Sequence, residues 1–291
     1  MAVEHARAHA LPKPWGVADL RPWNTTFHGG NAIGEIWYER TDTTAAPPKL
    51  LLKILFTNEP LSIQVHPDDS YARSMGLDNG KSEAWYVLHA QDESIVALGL
   101  TRRRTSQQLR HAVDDGSISD LIAWQRVKAG DCVFVAAGTI HAIGAGLVIA
   151  EIQQRSDATF RLFDHGRGRE LHVDHAIAVC DARPADITAL PVILSDERTL
   201  LTSNAHFTFE RLELAPHSVW KLQSDKETWL LVIGGDARAG SFDIKIGSAI
   251  FLQSDCIDIR AGQTGLAALV AYPGRDVVTD LLRSTVMDTA E

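Results

Sequence analysis

Ser62–Asp69 reads SIQVHPDD, and two later segments give that stretch its meaning: GKSEAWYVL at 80–88, which holds Glu83, and GTIHAIG at 138–144, which holds His141. Gln64, Val65 and His66 alternate as a β-strand does, so Gln64 and His66 project from one face. With Glu83 and His141 they offer an amide oxygen, a carboxylate and two imidazoles. That donor set suits a borderline divalent ion and leaves room for water or a sugar oxygen. Convergence of the four would make the chain a metal enzyme or a metal-dependent sugar binder; without it the chain is a soluble β-rich protein.

Working outward, the chain reads as short strands broken by turns. AIGEIWYER (32–40), KLLLKILF (49–56), LSIQVH (61–66), EAWYVLHA (83–90) and SIVALGL (94–100) are separated by Pro47-Pro48, Pro67-Asp68-Asp69 and Asp78-Asn79-Gly80. Residues 103–123 change to a helical pattern. Thr105 is a suitable N-cap for SQQLRHAV, Gly116 stops that helix, and Ser117 or Ser119 starts a second one running through Ile122 and Trp124. Strands return in VKAGDCVFVAAG (127–138), HAIGAGLVIAEIQQ (141–154) and ATFRLFD (158–164). RELHVDHAIAVC (169–180) reads as a helix. Beyond Pro184 and Pro191 the pattern is β again up to Pro273, and RDVVTDLLRST (275–285) is expected to close the chain as a helix.

An approximate internal echo joins the halves. Lys128-x-Gly130 precedes the strand CVFV and a turn that delivers His141; Lys245-x-Gly247 precedes AIFLQ and a turn that delivers no histidine. A glycine that permits a tight bend before a strand explains both copies. The pattern predicts a mainly β protein of two β-barrel or jelly-roll domains, one with a site and one without, with a few short helices. The domains are expected at 1–185, which holds the metal site and the helical segment near 103–123, and 186–291, which lacks metal ligands. His217 and Glu227 do not amount to a second metal site, because no histidine follows the Gly247 strand.

Composition narrows the partners. The chain has 291 residues, 45% of them hydrophobic, and a formal net charge of −9. No basic block is present, so nucleic acid is excluded as a partner, and an anion would need a local cluster of Lys and Arg. The apolar runs are far too short to span a bilayer. Three cysteines, Cys132, Cys180 and Cys256, are widely spaced without a CxxC, which argues for a reducing compartment. The first residues carry no apolar signal-peptide core. A cytoplasmic protein is expected, with its oligomeric state, monomer or otherwise, left open.

Gly130-x5-Ala136-x-Gly138-x2-His141 resembles the second cupin motif, with Ala136 where proline is usual. Together with LLKILFTNEPLSIQVHPDD, GKSEAWYVL, AGDCVFVAAGTIHAIGAGLVIAEIQQRSDATFRLFD and the opening KPWG, it resembles the type I mannose-6-phosphate isomerases, in their short bacterial form. The resemblance covers roughly residues 13–175; the remainder matches only as a generic second cupin domain. It implies one Zn2+ per chain on Gln64, His66, Glu83 and His141, although cobalt or manganese could serve in the same set. It implies catalytic roles for Arg161, Glu151 and Lys81. Phosphate contacts would fall on Lys53 and Ser62, with Arg167 a weaker correspondence. Arg155 and His165 depart from the family pattern; an extra charge at 155 could shift the phosphate site or simply face solvent.

The implied reaction interconverts mannose 6-phosphate and fructose 6-phosphate by moving a proton between C1 and C2 through a cis-enediol(ate). Preorganised positive charge near O1 and O2 does most to lower the barrier in such chemistry, and one general base can carry the proton. The base is left open among Glu151, Lys81 and a water on the metal. Two rivals stand beside this reading. An oxygenase of the cupin class would use more histidines around iron. A non-catalytic sugar-phosphate-binding regulator would have lost Arg161, Lys81 or a ligand. Trp15, Trp85 and Trp124 read as core rather than as sugar-stacking platforms.

Overall fold

A computed structural model describes residues 2–27, 31–185 and 191–285, and it is mainly β, as the sequence predicts. The first half of the chain supplies strands Ala2–His5 (β1), Arg7–Val17 (β2), Ile33–Glu39 (β3), Leu50–Thr57 (β4) and Ile63–Val65 (β5), helix Asp69–Ser74 (α1), and strands Glu83–Ala90 (β6) and Ile95–Leu100 (β7). Helices Ser106–Asp114 (α2) and Ile118–Leu121 (α3) follow. After them come strands Ile122–Arg126 (β8), Cys132–Val135 (β9), His141–Ile143 (β10), Leu147–Gln154 (β11) and Phe160–Phe163 (β12), and helix Val173–Val179 (α4). These strands form a six-stranded antiparallel sheet, β2-β3-β4-β11-β6-β9, and a five-stranded one, β12-β5-β10-β7-β8. Strands between Val192 and Ser284 form a ten-stranded sheet, and β1 joins it by pairing with Ala249–Gln253. The division expected at residue 185 falls at the edge of residues 186–190, which lie outside the described residues.

The six-stranded sheet explains the apolar run KLLLKILF. Every residue of β4 is buried because both faces of the sheet are covered. Leu50, Leu52, Ile54 and Phe56, with Ala84, Tyr86, Ala150 and Ile152, pack against Phe207, Phe209, Trp229, Leu231 and Phe251 of the ten-stranded sheet. Each large side chain so covered contributes about 1.5–3 kcal/mol relative to exposure. Leu55, Trp85, Val87 and Ile149, on the other face, pack against Leu61, Val96, Leu98 and Ile143. The polar residues of that inner face are therefore shut between two sheets.

Local chemistry accounts for the helices. Thr105 caps α2, and its hydroxyl and Gln108 make a reciprocal capping box. The second helix stops at Leu121, and Trp124 belongs to a strand that pairs with Ile95–Leu100, which corrects the expected extension. Helix α1 and strands β1 and β2 were not anticipated. Asp68 accepts from Tyr71 N–H and so caps α1. The alternation of Ala6, Ala8 and Ala10 with Arg7 and His9 was the available signal for β2.

The closing helix expected at 275–285 does not form. Arg198 donates to the Val278 and Thr279 carbonyls, while Tyr272 Oη accepts from Val278 N–H, so the backbone groups a helix needs are already engaged. Leu282–Ser284 instead pairs with Val219–Ser224. Both glycines of the internal echo lie in the left-handed region, Gly130 at φ 92° and Gly247 at φ 82°. A Cβ on Gly247 would fall 1.8 Å from the Trp23 carbonyl oxygen, so the close approach demands glycine. No helix among the described residues is long and apolar enough to cross a membrane.

One buried carboxylate ties the ten-stranded sheet to β4. Glu227 accepts from Lys49 N–H at 2.6 Å and Leu50 N–H at 2.8 Å, and Trp229 Nε1 donates to it at 3.3 Å. Glu227→Ala would leave both amides without an acceptor, at roughly 1–3 kcal/mol each. A loss of about 2–6 kcal/mol in urea denaturation is expected on that basis; an unchanged midpoint would show that the tie does not stabilise the fold.

Candidate metal centre

Period-two alternation sends Gln64 and His66 from β5 into the space between the five- and six-stranded sheets. His141 opens β10 directly opposite Gln64, and Arg161 on β12 flanks Gln64 from the other side. Glu83 begins β6 and faces them from the opposite sheet. Gln153 is paired with Glu83, Glu151 with Trp85, and Lys53 with Glu151, so all of these side chains share the inner face.

The four sequence-predicted ligands come together. One ligand atom each from His66, Glu83 and His141 lies within 4.8 Å of the others, the only such grouping among the described residues. His66 Nε2 is 3.4 Å from Glu83 Oε2, His141 Nε2 is 3.5 Å from Oε1, and Gln64 Nε2 is 3.3 Å from His141 Nε2. Both rings place Nδ1 against a backbone carbonyl, His66 on Ala158 and His141 on Thr139, each at 2.8 Å. That fixes Nδ1 as the donor and leaves each Nε2 lone pair turned towards Glu83, as metal-binding histidines require.

Charge in this space is tightly balanced. Lys81 Nζ lies 3.0 Å from Glu83 Oε2 and 3.1 Å from His66 Nε2. Burial opposes the ammonium, but Glu83 and Glu151 outweigh it and push Lys81 above its ordinary value. Burial likewise works against the Glu83 anion; Lys81 above all reverses this, helped by a hydrogen bond from Glu151, and holds its carboxyl low. Glu151 goes the other way: burial and the neighbouring Glu83 anion raise it above the ordinary carboxyl value. Burial, then the Lys81 charge, holds His66 neutral, and burial lowers His141 despite Glu83.

The residues fit a divalent cation. Two buried neutral imidazoles and a buried ionised carboxylate converge with the half-buried amide of Gln64. Glu83 Oε2 has no well-directed hydrogen bond, and the site already concentrates enough negative potential to hold a lysine charge. Gln64 is the weakest donor: its Oε1 accepts from Ser62 Oγ at 3.0 Å, and its amide would be turned end for end to present oxygen.

The other expected residues divide. Lys53 is buried 3.8 Å from Glu151 Oε2 and lies 4.4 Å from the centre of the Trp37 ring. Burial lowers its pKa, against the pull of Glu151. Ser62 is committed to Gln64. Arg161 shares the Gln64 face; its Nη1 donates to the Glu170 carbonyl and its buried Nε has no partner. Arg167 donates to the Pro60 and Asp164 carbonyls, and it is joined at Asp164 by Arg169. The departures resolve simply: Arg155 pairs with Glu39 at 3.2 Å, and His165 Nε2 donates to the Leu61 carbonyl. Trp85 is core, as expected, but its Nε1 also donates to Glu83 Oε1 at 3.1 Å, a role that the Glu-x-Trp spacing on one strand face could have signalled.

Known proteins resemble this arrangement at two levels. The fold is that of the solved mannose 6-phosphate isomerases. The Bacillus subtilis mannose 6-phosphate isomerase crystal structure superposes with a TM-score of 0.82 over 94% of this chain and 99% of that one, at 22% identity. A zinc-bound mannose 6-phosphate isomerase structure gives 0.73 at 15% identity, over 94% and 100%. In sequence, the mannose-6-phosphate isomerase of Streptococcus mutans is 36% identical over 197 residues, 65% of this chain and 62% of that protein. Mannose-6-phosphate isomerase ManA of Bacillus subtilis is 38% identical over 139 residues, 45% of this chain and 44% of that protein. The chain thus spans less than two thirds of these relatives' length. No family model matches it.

A divalent ion bound only by the native state stabilises it by about 2.7 kcal/mol at 100 times its dissociation constant. Thermal melts with and without added metal should show that gain in the wild-type chain and lose it in His141→Ala. An equal gain in both would remove His141 from the ligand set.

Proposed function

We propose that the chain is a zinc-dependent aldose–ketose isomerase that interconverts mannose 6-phosphate and fructose 6-phosphate. The observation that carries this reading is the convergence of Gln64, His66, Glu83 and His141, with both Nδ1 atoms already committed to carbonyls, in the fold of solved mannose 6-phosphate isomerases. These four residues would hold the ion. Bound zinc would supply a fixed positive charge for the sugar's O1 and O2 oxygens.

The remaining steps belong to the chain's own side chains. Arg161 stands opposite Gln64 on the same face, and its unpartnered Nε supports a role in stabilising the enediolate charge. Glu151, raised by burial and by Glu83, lies on the inner face beside Glu83 and Lys53 and is the candidate to carry the proton between C1 and C2. Lys81 keeps the Glu83 carboxylate ionised and remains the alternative proton carrier. Lys53 and Ser62 lie on the same inner face as candidates for orienting the substrate, while Arg167, tied to Asp164 and Pro60, offers a rim contact for phosphate. Two cupin-type units at 1–185 and 186–291, the second without metal ligands, complete the reading, with β1 lent to the second unit's sheet. The unpaired Cys132, Cys180 and Cys256 support a reducing, cytoplasmic setting.

A coupled isomerase assay with metal analysis tests the proposal. Arg161→Ala should retain the ion and lose roughly 10²–10³-fold in kcat, the usual cost of one charge-stabilising donor. Loss of the ion in that variant would reassign Arg161, and full activity in metal-free wild-type protein would sink the mechanism.

A further inference from the structure

The segment that brings Lys81 and Glu83 into the site is held by two side chains that touch neither the ligand atoms nor the expected substrate contacts. Gly80 N–H donates to Asp69 Oδ1 at 2.9 Å. The same oxygen accepts from Gln154 Nε2 at 2.8 Å, and Gln154 Oε1 accepts from Ser82 N–H at 2.9 Å. Between them, Lys81 N–H donates to the Pro67 carbonyl at 3.0 Å, and Gln154 N–H closes the circuit on the Ser82 carbonyl at 3.1 Å. Three consecutive amides, 80 to 82, are therefore fixed from one side by the HPDD turn that follows His66 and from the other by the end of β11. The approach is close: a Cβ on Gly80 would lie 2.4 Å from the Asp68 carbonyl carbon.

This circuit links the two halves of the ligand set without passing through a metal. The turn holding Asp69 starts one residue after His66, and Gln154 adjoins Gln153, the register partner of Glu83. Gln154 is buried, so its hydrogen bonds are not readily exchanged for water. The amide matters for its mixed character: one atom donates to a carboxylate while the other accepts from the backbone.

We propose that Asp69 and Gln154 are positioning residues that set where Lys81 and Glu83 stand, and so how tightly the centre binds its ion. The proposal rests on the metal-binding reading above. Outer partners of this kind cost about 10–100-fold in metal affinity when removed.

The test is a charge-and-amide exchange read by zinc affinity in chelator competition, with melting temperature as the control. Gln154→Glu keeps an acceptor for Ser82 but sets a carboxylate against Asp69, and it should weaken zinc binding about 10–100-fold. Asp69→Asn keeps the shared acceptor oxygen and should bind nearly as wild type. Combining the two substitutions restores a donor–acceptor pair in the reverse direction, with the amide on the turn after His66 and the carboxylate at the end of β11. The double variant should recover the lost affinity. Wild-type affinity in Gln154→Glu, or no recovery in the double variant, overturns the proposal. Tight zinc binding by a wild-type chain with no isomerase turnover would overturn the proposed function and leave the clamp standing. If the wild-type chain binds no zinc, the metal reading fails. Amide exchange at 80–82 then decides the clamp: faster exchange in Gln154→Glu, reversed in the double variant, keeps it, and unchanged exchange removes it.

Discussion

A carboxylate taken out of water remains ionised only where positive charge and hydrogen-bond donors replace the lost solvent. Glu83 is 1% exposed, and the inner face of the first half is organised around that requirement. Lys81 neutralises it at 3.0 Å, Trp85 Nε1 donates to it from two residues along the same strand, and its charge in turn raises the Glu151 carboxyl. The histidines cannot help as cations, because burial and Lys81 hold them neutral. Their Nε2 lone pairs therefore face the same point as the carboxylate, where Lys81 and the Gln64 amide meet them. A cluster that is costly as a piece of protein core is well suited to a doubly charged ion.

The scaffold makes that cluster rigid by using one sheet twice. The outer face of the six-stranded sheet is packed on the ten-stranded sheet, so β4, β6 and β11 have little freedom to shift. The inner face of the same strands then carries Lys53, Glu83 and Glu151 at fixed register. Glu227 adds a polar tie from the far sheet to the residues that open β4. The second half thus contributes to the site by bracing the strands that carry it, and none of its described residues belongs to the His66–Glu83–His141 grouping.

Much of this was legible from residue order. Gln64 and His66 share a face by period two alone, the largely apolar segment at 49–56 reads as a strand, and Thr105 reads as the N-cap of the helix that follows it. The failures have physical causes. RDVVTDLLRST has helical spacing, but Arg198, far earlier in the chain, takes its carbonyls. Trp124 continues a helical pattern, but Leu121 is followed by pairing with β7. The carbonyls of Thr139 and Ala158 that orient the histidines leave no mark in sequence, because any residue supplies a carbonyl.

The sequence by itself determined the class of fold, the donor types and their strand faces, since these follow from periodicity and side-chain chemistry. Only the tertiary structure decided which nitrogen of each histidine turns to Glu83, that the Glu83 carboxyl is lowered while that of Glu151 is raised, and that Ser62 and Arg167 are already engaged by protein groups. Those properties depend on distance and burial across strands far apart in the chain: electrostatic energy in a dry interior changes steeply over a few ångströms, and residue order carries no such distances.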